Sequence, residues 1–220
     1  DDRYDVKKVL KQCDCDDDFV NEIKKASDKT LILYDEETKL FEQHDGYYKL
    51  PHVDINKIPT SEFPLYSHWS YDRIYRNDMI KQPDVLMFMF LYPQDFTIEE
   101  KRVNYEYYEP RCIHESSLSP SIHSIFACEL NKLEEAKKFF EFATRLDLDD
   151  YNCNTKEGIH TTSIAAAWMN IVYGFGGLRS DREVLSINPI IIDEWDSYSF
   201  KLKYKDTKIK IEVNKSKVII

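Results

Sequence analysis

The sequence predicts a mainly α-helical fold closed by a small antiparallel β-sheet. Three observations carry that reading. Leu133, Ala136, Phe139, Phe140, Ala143 and Leu146 recur at helical spacing. Asp84 to Tyr92 is apolar on every face, as buried segments are, and Ser163 to Tyr173 reads as an apolar helix whose small residues Ala165 to Ala167 permit close helix approach. Beyond Arg182 the texture changes to period-2 runs: Leu185 to Ile192, Ser199 to Tyr204, Lys208 to Val213 and Lys217 to Ile220.

In chain order, Asp16 to Ser27 predicts a helix, with Asp16 to Asp18 at its negative start and Lys24 and Lys25 near its end. Leu31 to Gln43 reads as a hairpin around Asp35 to Thr38, and Asp45-Gly46 marks a further turn. Pro51 to Asp78 is a long connection punctuated by Pro51, Pro59 and Pro64, in which His68 and Trp69 read as packing. Pro83, with Asp84 beside it, favours a helix for Asp84 to Tyr92, although the Met and Phe alternation leaves a strand open. Phe96 to Glu109 predicts a helix ended by Pro110. Ser119 as N-cap with Pro120 behind it starts another, running to about Leu130.

After the Leu133 helix and a polar loop comes Gly158 to Gly177, which holds Gly158, Gly174, Gly176 and Gly177, four of only five glycines in the chain. That concentration implies tight backbone requirements around one region. The C-terminal strands turn at Asp206 and Asn214 and are too few to fold alone, so they must pack on the helices or on more chain. Helices joined by loops suggest a helical-hairpin array or toroid, and no fixed-period repeat supports a solenoid.

With 220 residues, 42% hydrophobic and 14% aromatic, the chain can build a sizeable core. Its formal charge of −10 argues against a nucleic-acid or anionic-membrane surface, though not against a local basic pocket. The longest apolar run, Val85 to Tyr92, is too short to span a bilayer, and Asp1 to Tyr4 does not read as a signal peptide. Five scattered cysteines suit a reducing cytosol. Cys13-Asp-Cys15 lacks a second pair to complete a metal set, so neither a metal nor a cofactor is expected.

The stretch with most chemistry is Arg111 to Pro120, which carries His114, Glu115, Ser116 and Ser117 ahead of a helix start. It reads either as an ordinary capping loop or as an anion site, because free N–H groups and the positive helix end favour an anion there. Lys81, just before an apolar helix, is either a surface lysine or a cation in use. His160 is either a structural cap or a ligand contact.

Taken together and in order, several stretches resemble glycoside hydrolase family 65. They are Gln43 to Tyr47, Lys81-Gln82, His114 to Pro120, Arg145 to Asp150, Gly158 to His160 and Gly174 to Gly177. The resemblance runs from about Val6 to the end of the chain. It implies the C-terminal half of an (α/α)6 toroid over residues 1–183 and a small β-sheet domain over 184–220. It also implies an inverting α-glucoside phosphorylase, in which inorganic phosphate attacks an α-linked glucose disaccharide to give β-glucose 1-phosphate. Ser116 and Ser117 match the family's phosphate-binding serines, and His160 matches the histidine that helps them. Lys81 and Gln82 match a substrate-site pair whose lysine lies close to the phosphate.

These residue types suit a nucleophile that is already an anion and needs donors and positive charge, with no enzymic base. Glu115 stands where the family more often has aspartate and receives no role. The family's catalytic acid lies in an Asp-Glu-Tyr motif that does not occur here, so the expectation is a fragment that is inert alone. Family members are often dimers, which makes a homodimer an expected partner. A hydrolase of the same family and a non-catalytic helical binding module are the competing readings.

Overall fold

A computed structural model describes residues 6–151, 153–181 and 184–220. It divides into two compact units, residues 1–33 and 34–220, each described by itself. In the first, α1 (Val6–Gln12) precedes α2 (Asp17–Lys29). Asp16 caps α2 by accepting from the Phe19 amide at 2.8 Å, as its sequence predicts.

The second unit opens with the predicted hairpin, shortened to β1 (Tyr34–Asp35) and β2 (Leu40–Phe41). Asp35 closes the turn by accepting from the Glu37 and Thr38 amides. The long connection that follows contains α3 (Leu65–His68) and α4 (Tyr71–Tyr75), two short helices that its proline spacing had hidden. Then come α5 (Asp84–Leu91), α6 (Ile98–Tyr108), α7 (Ser119–Glu129), α8 (Leu133–Arg145) and α9 (Thr161–Met169). The α8 bounds agree with the apolar spacing at both ends. A complete capping box, with Thr97 and Glu100 bonding each other's backbone, starts α6.

The core is built around α7, which is buried from Ser119 to Cys128 and packs against α5, α8 and residues 170–175. Three expectations need correcting here. The N-cap of α7 is Leu118, one residue earlier than Ser119, and it makes no side-chain capping bond. Asp84 to Tyr92 is not buried on every face, since Leu91 and Tyr92 are exposed. His160 stands at the N-cap of α9, but its side chain makes no capping bond, so the structural-cap reading of its ring does not hold. Ile164 and Trp168 on α9 are also exposed.

Residues 170–175 widen into a π-helical turn, and the Gly176 amide reaches back to the Ile171 carbonyl. A Cβ on Gly176 would stand 2.6 Å from the Val172 carbonyl oxygen and 2.8 Å from the Phe200 ring. Gly177 has φ +56, and its carbonyl accepts from the Asn188 amide. The glycine cluster thus answers to close approach and to backbone hand.

Two antiparallel pieces follow: β3 (Arg179–Asp181) with β4 (Val184–Ser186), and a sheet of β5 (Ser197–Tyr204), β6 (Thr207–Asn214) and β7 (Val218–Ile219) in that order. The predicted strand Leu185 to Ile192 therefore ends at Ser186. Beyond it the Asn188 and Ile190 amides bond the Gly177 and Phe175 carbonyls, which leaves no ladder for a strand. Phe200, Ile211 and Val213 pack on Val172 and Leu178, so the sheet does use the helices as its second layer. The fold is about half helix, with small antiparallel sheets at the C-terminal end. Among the described residues no helix is long and apolar enough to cross a membrane.

Candidate functional site

The site is assembled by a backbone crossing. The Ile80 amide donates to the Arg111 carbonyl at 2.8 Å, and the Ile113 amide donates to the Ile80 carbonyl at 3.0 Å. Buried Asp78 fastens the same junction, accepting from Arg111 Nε at 2.9 Å and from the Val53 amide at 3.0 Å. This crossing sets Lys81 and Gln82 alongside the loop that leads to Ser116.

Ser116 and Gln82 then meet directly, the Ser116 hydroxyl donating to Gln82 Oε1 at 2.9 Å. The same oxygen atom of Ser116 accepts from the Leu118 amide at 3.2 Å. Ser117 is half-buried, and among the described residues no hydrogen bond engages its hydroxyl. Lys81 makes no ion pair among the described residues; its ammonium stands 5.6 Å from the centre of the Tyr66 ring. A cavity of about 210 Å³ opens beside Lys81 and Gln82, with Tyr75, Asn77 and Gln43 on its other walls. A larger one, about 960 Å³, runs past His114 and Glu115 and takes in none of the five predicted residues.

Glu115, left without a role by sequence, holds the Tyr66 segment in place. Its carboxylate accepts from the Leu65 amide and, at 3.3 Å, from the Tyr66 amide, so it caps α3, whose own N-cap Pro64 has no side-chain donor or acceptor. Burial raises the Glu115 carboxyl above its ordinary value, although those two amides and the Lys81 charge pull the other way.

Behind the loop, His114 adopts φ +52 and turns its Nδ1 to Ser119 Oγ, while His123 Nδ1 donates to the Ser119 carbonyl at 2.7 Å. Burial pushes both imidazoles below their ordinary value, His123 to about 4, so both are neutral near pH 7. With Cys112 they bring one metal-ligand atom each within 4.8 Å, and among the described residues this is the group whose chemistry could hold an ion.

His160 lies on a separate loop. Its amide donates to Asp147 Oδ2 at 2.8 Å, and its Nδ1 lies 2.5 Å from Asp147 Oδ1. Among the described residues no hydrogen bond joins it to Ser116, Ser117, Lys81 or Gln82. The structure therefore brings Gln82 and Ser116 into contact, sets Lys81 beside them, and gives His160 a partner of its own. Sequence reasoning missed Glu115 and Asp147 as supports. The signal for Asp147 was its place in one motif segment thirteen residues before the histidine of another.

Residues 2–169 match the glycosyl hydrolase family 65 central catalytic domain, and residues 178–220 match the C-terminal domain of the same family. The fold and sequence thus place the chain among carbohydrate-active enzymes, and it belongs to glycoside hydrolase family 65. It is 44% identical over 186 residues to maltose phosphorylase of Bacillus subtilis (strain 168), covering 84% of this chain and 25% of that protein. It is 41% identical over 212 residues to α,α-trehalose phosphorylase of Thermoanaerobacter brockii, covering 96% and 27%. A solved structure named as a candidate kojibiose phosphorylase from the human microbiome superposes with TM-score 0.87 and 56% identity, over 99% of this chain and 29% of that one. The chain thus spans between a quarter and a third of the length of the relatives it matches.

Proposed function

We propose that this chain is part of an inverting α-glucoside phosphorylase and carries the phosphate-binding portion of its site. Phosphate attacks the anomeric carbon of an α-linked glucobiose from the face opposite the leaving sugar, giving β-glucose 1-phosphate. In this reading residues 1–183 belong to the C-terminal half of an (α/α)6 toroid and residues 184–220 to a small β-sheet domain. The acid that protonates the glycosidic oxygen is supplied by residues outside these 220, since the family's Asp-Glu-Tyr motif does not occur here.

The observation that carries the proposal is the Ser116–Gln82 hydrogen bond, which joins two motif segments at one point. Around that point the inventory suits an anion: two hydroxyls, a lysine that makes no ion pair among the described residues, and a helix start at Leu118 with no side-chain cap. Phosphate arrives as an anion, so no carboxylate base is needed. A hydrolase would need one to activate water; Glu115 is spent on the Leu65 and Tyr66 amides, and Asp84, on the wall of the smaller cavity, accepts from Gln43 Nε2 at 2.7 Å.

Incubating the complete protein with maltose, trehalose, kojibiose or nigerose, with and without phosphate, tests the reading. Glucose 1-phosphate that forms only with phosphate is the expected product. Release of free glucose at the same rate in both conditions contradicts the proposal. The isolated 220-residue chain is expected to be inactive, and measurable phosphorolysis by it would place the acid within this chain.

A further inference from the structure

We infer that Asp147 is a positioning residue for His160, fixing the ring in its Nδ1–H tautomer and so presenting Nε2 to the phosphate. The inference rests on the phosphate-binding reading proposed above and on the place in it that the family resemblance implies for His160.

Both oxygens of Asp147 are engaged by one residue. Oδ2 accepts from the His160 amide at 2.8 Å, and Oδ1 faces Nδ1 at 2.5 Å. Main chain and ring are therefore clamped together, and a rotation of χ1 or χ2 breaks the second bond. An ionised carboxylate can only accept, so Nδ1 must carry the proton. The bond from His160 in turn holds the Asp147 carboxyl below its ordinary value, which keeps it ionised at neutral pH.

The adjacent acids have other duties. Asp149 takes Arg145 in a two-point pair, and Asp150 accepts from the Thr155 amide. On α9 the His160 carbonyl accepts from the Ser163 and Ile164 amides, but its ring makes no side-chain capping bond there. Among the described residues the far nitrogen, Nε2, has one long contact, 3.4 Å to Asn154 Nδ2. In the neutral ring Nε2 is an acceptor, matched to the hydroxyl of hydrogenphosphate. With a proton it becomes a charge-assisted donor to a phosphate oxygen. Asp147 keeps the Nδ1 end bonded in either state, so the ring meets phosphate without turning.

The Asp147→Asn variant makes this sharp. The backbone N–H of His160 can only donate, so the asparagine Oδ1 must face it. The asparagine NH2 then faces Nδ1, and the ring proton has to move to Nε2. Long-range 1H–15N NMR on the histidine-labelled chain, with His160 assigned by His160→Gln, should show Nδ1–H in the parent and Nε2–H in Asp147→Asn. Titration with inorganic phosphate should shift Nε2 of the parent and act about tenfold more weakly on the variant. An unchanged tautomer in a folded Asp147→Asn overturns the inference. Should that variant lose its circular dichroism, Asp147→Glu keeps both acceptors and must retain Nδ1–H; a switch there overturns the inference equally. If the tautomer obeys Asp147 but phosphate leaves Nε2 untouched, the phosphate role of His160 fails, and positioning for phosphate fails with it.

Discussion

Ser116 and Gln82 lie thirty-four residues apart, and the serine hydroxyl donates to the glutamine Oε1 at 2.9 Å. That bond gives the two serines different work. Ser116 spends its one proton on Gln82, whereas the Ser117 hydroxyl is uncommitted among the described residues. Ser117→Ala should therefore weaken phosphate binding by ~1.5–3 kcal/mol, the worth of a charge-assisted bond, and leave stability unchanged. Ser116→Ala should weaken phosphate binding less, only through the loosened Gln82, at ~1 kcal/mol of stability. Phosphate titrations and urea melts of both variants check this; indistinguishable behaviour contradicts the division.

The buried histidines predict an acid-sensitive core. His123 falls from 6.5 unfolded to about 4 folded because burial penalises the imidazolium, and His114 moves the same way. Between those values the unfolded chain binds more protons, so stability is full above about pH 6.5 and drains as pH falls toward 4, by roughly 3 kcal/mol for His123. Urea unfolding across that range should show the slope, and His123→Gln should reduce it. An equal slope in the variant would rule out His123 as its source.

Glu129 at the end of α7 accepts from Lys101 at 2.6 Å and Arg179 at 2.9 Å, tying α6 and β3 to the central helix. Burial alone would raise its carboxyl, but the two cations together outweigh that and hold it below its ordinary value. This contribution is present above the unfolded carboxyl range and is lost as pH falls through the lower folded value. Glu129→Gln strands a buried lysine and should cost ~3 kcal/mol in chemical denaturation at pH 7. A loss under about 0.5 kcal/mol would mean that the pair is solvated as surface pairs are.

Gly176→Ala places a methyl against the Val172 carbonyl and the Phe200 ring, where the backbone oxygen cannot move aside cheaply. The expected cost is ~1–3 kcal/mol, felt as loosened packing of β5 and β6 on residues 172–178. Hydrogen exchange of the Phe200 and Ile211 amides reports it; unchanged protection argues that the glycine is there for another reason.

These outcomes also show where local pattern suffices and where it does not. The apolar spacing from Leu133 to Leu146 defines α8 because each of its residues depends only on neighbours three and four away. Leu185 to Ile192 alternates as a strand does, yet its amides are taken by the Phe175 and Gly177 carbonyls, a long-range competition that no window contains. At the site, the motif residues were readable as chemical types, while their supports were not. Asp147 sits in a run of acids that looks like a solvated loop, and only the fold carries it to His160. Glu115 carried no role in the sequence, and only its two backbone partners show what it supports.

The central claim is that this chain holds an anion that serves as nucleophile. Phosphorus NMR of the complete protein turning over an α-glucobiose in phosphate buffer tests it most directly. The account predicts a β-glucose 1-phosphate signal that grows with phosphate concentration and weakens in Ser117→Ala. Free glucose with no sugar phosphate, at a rate indifferent to phosphate and to Ser117, would contradict it.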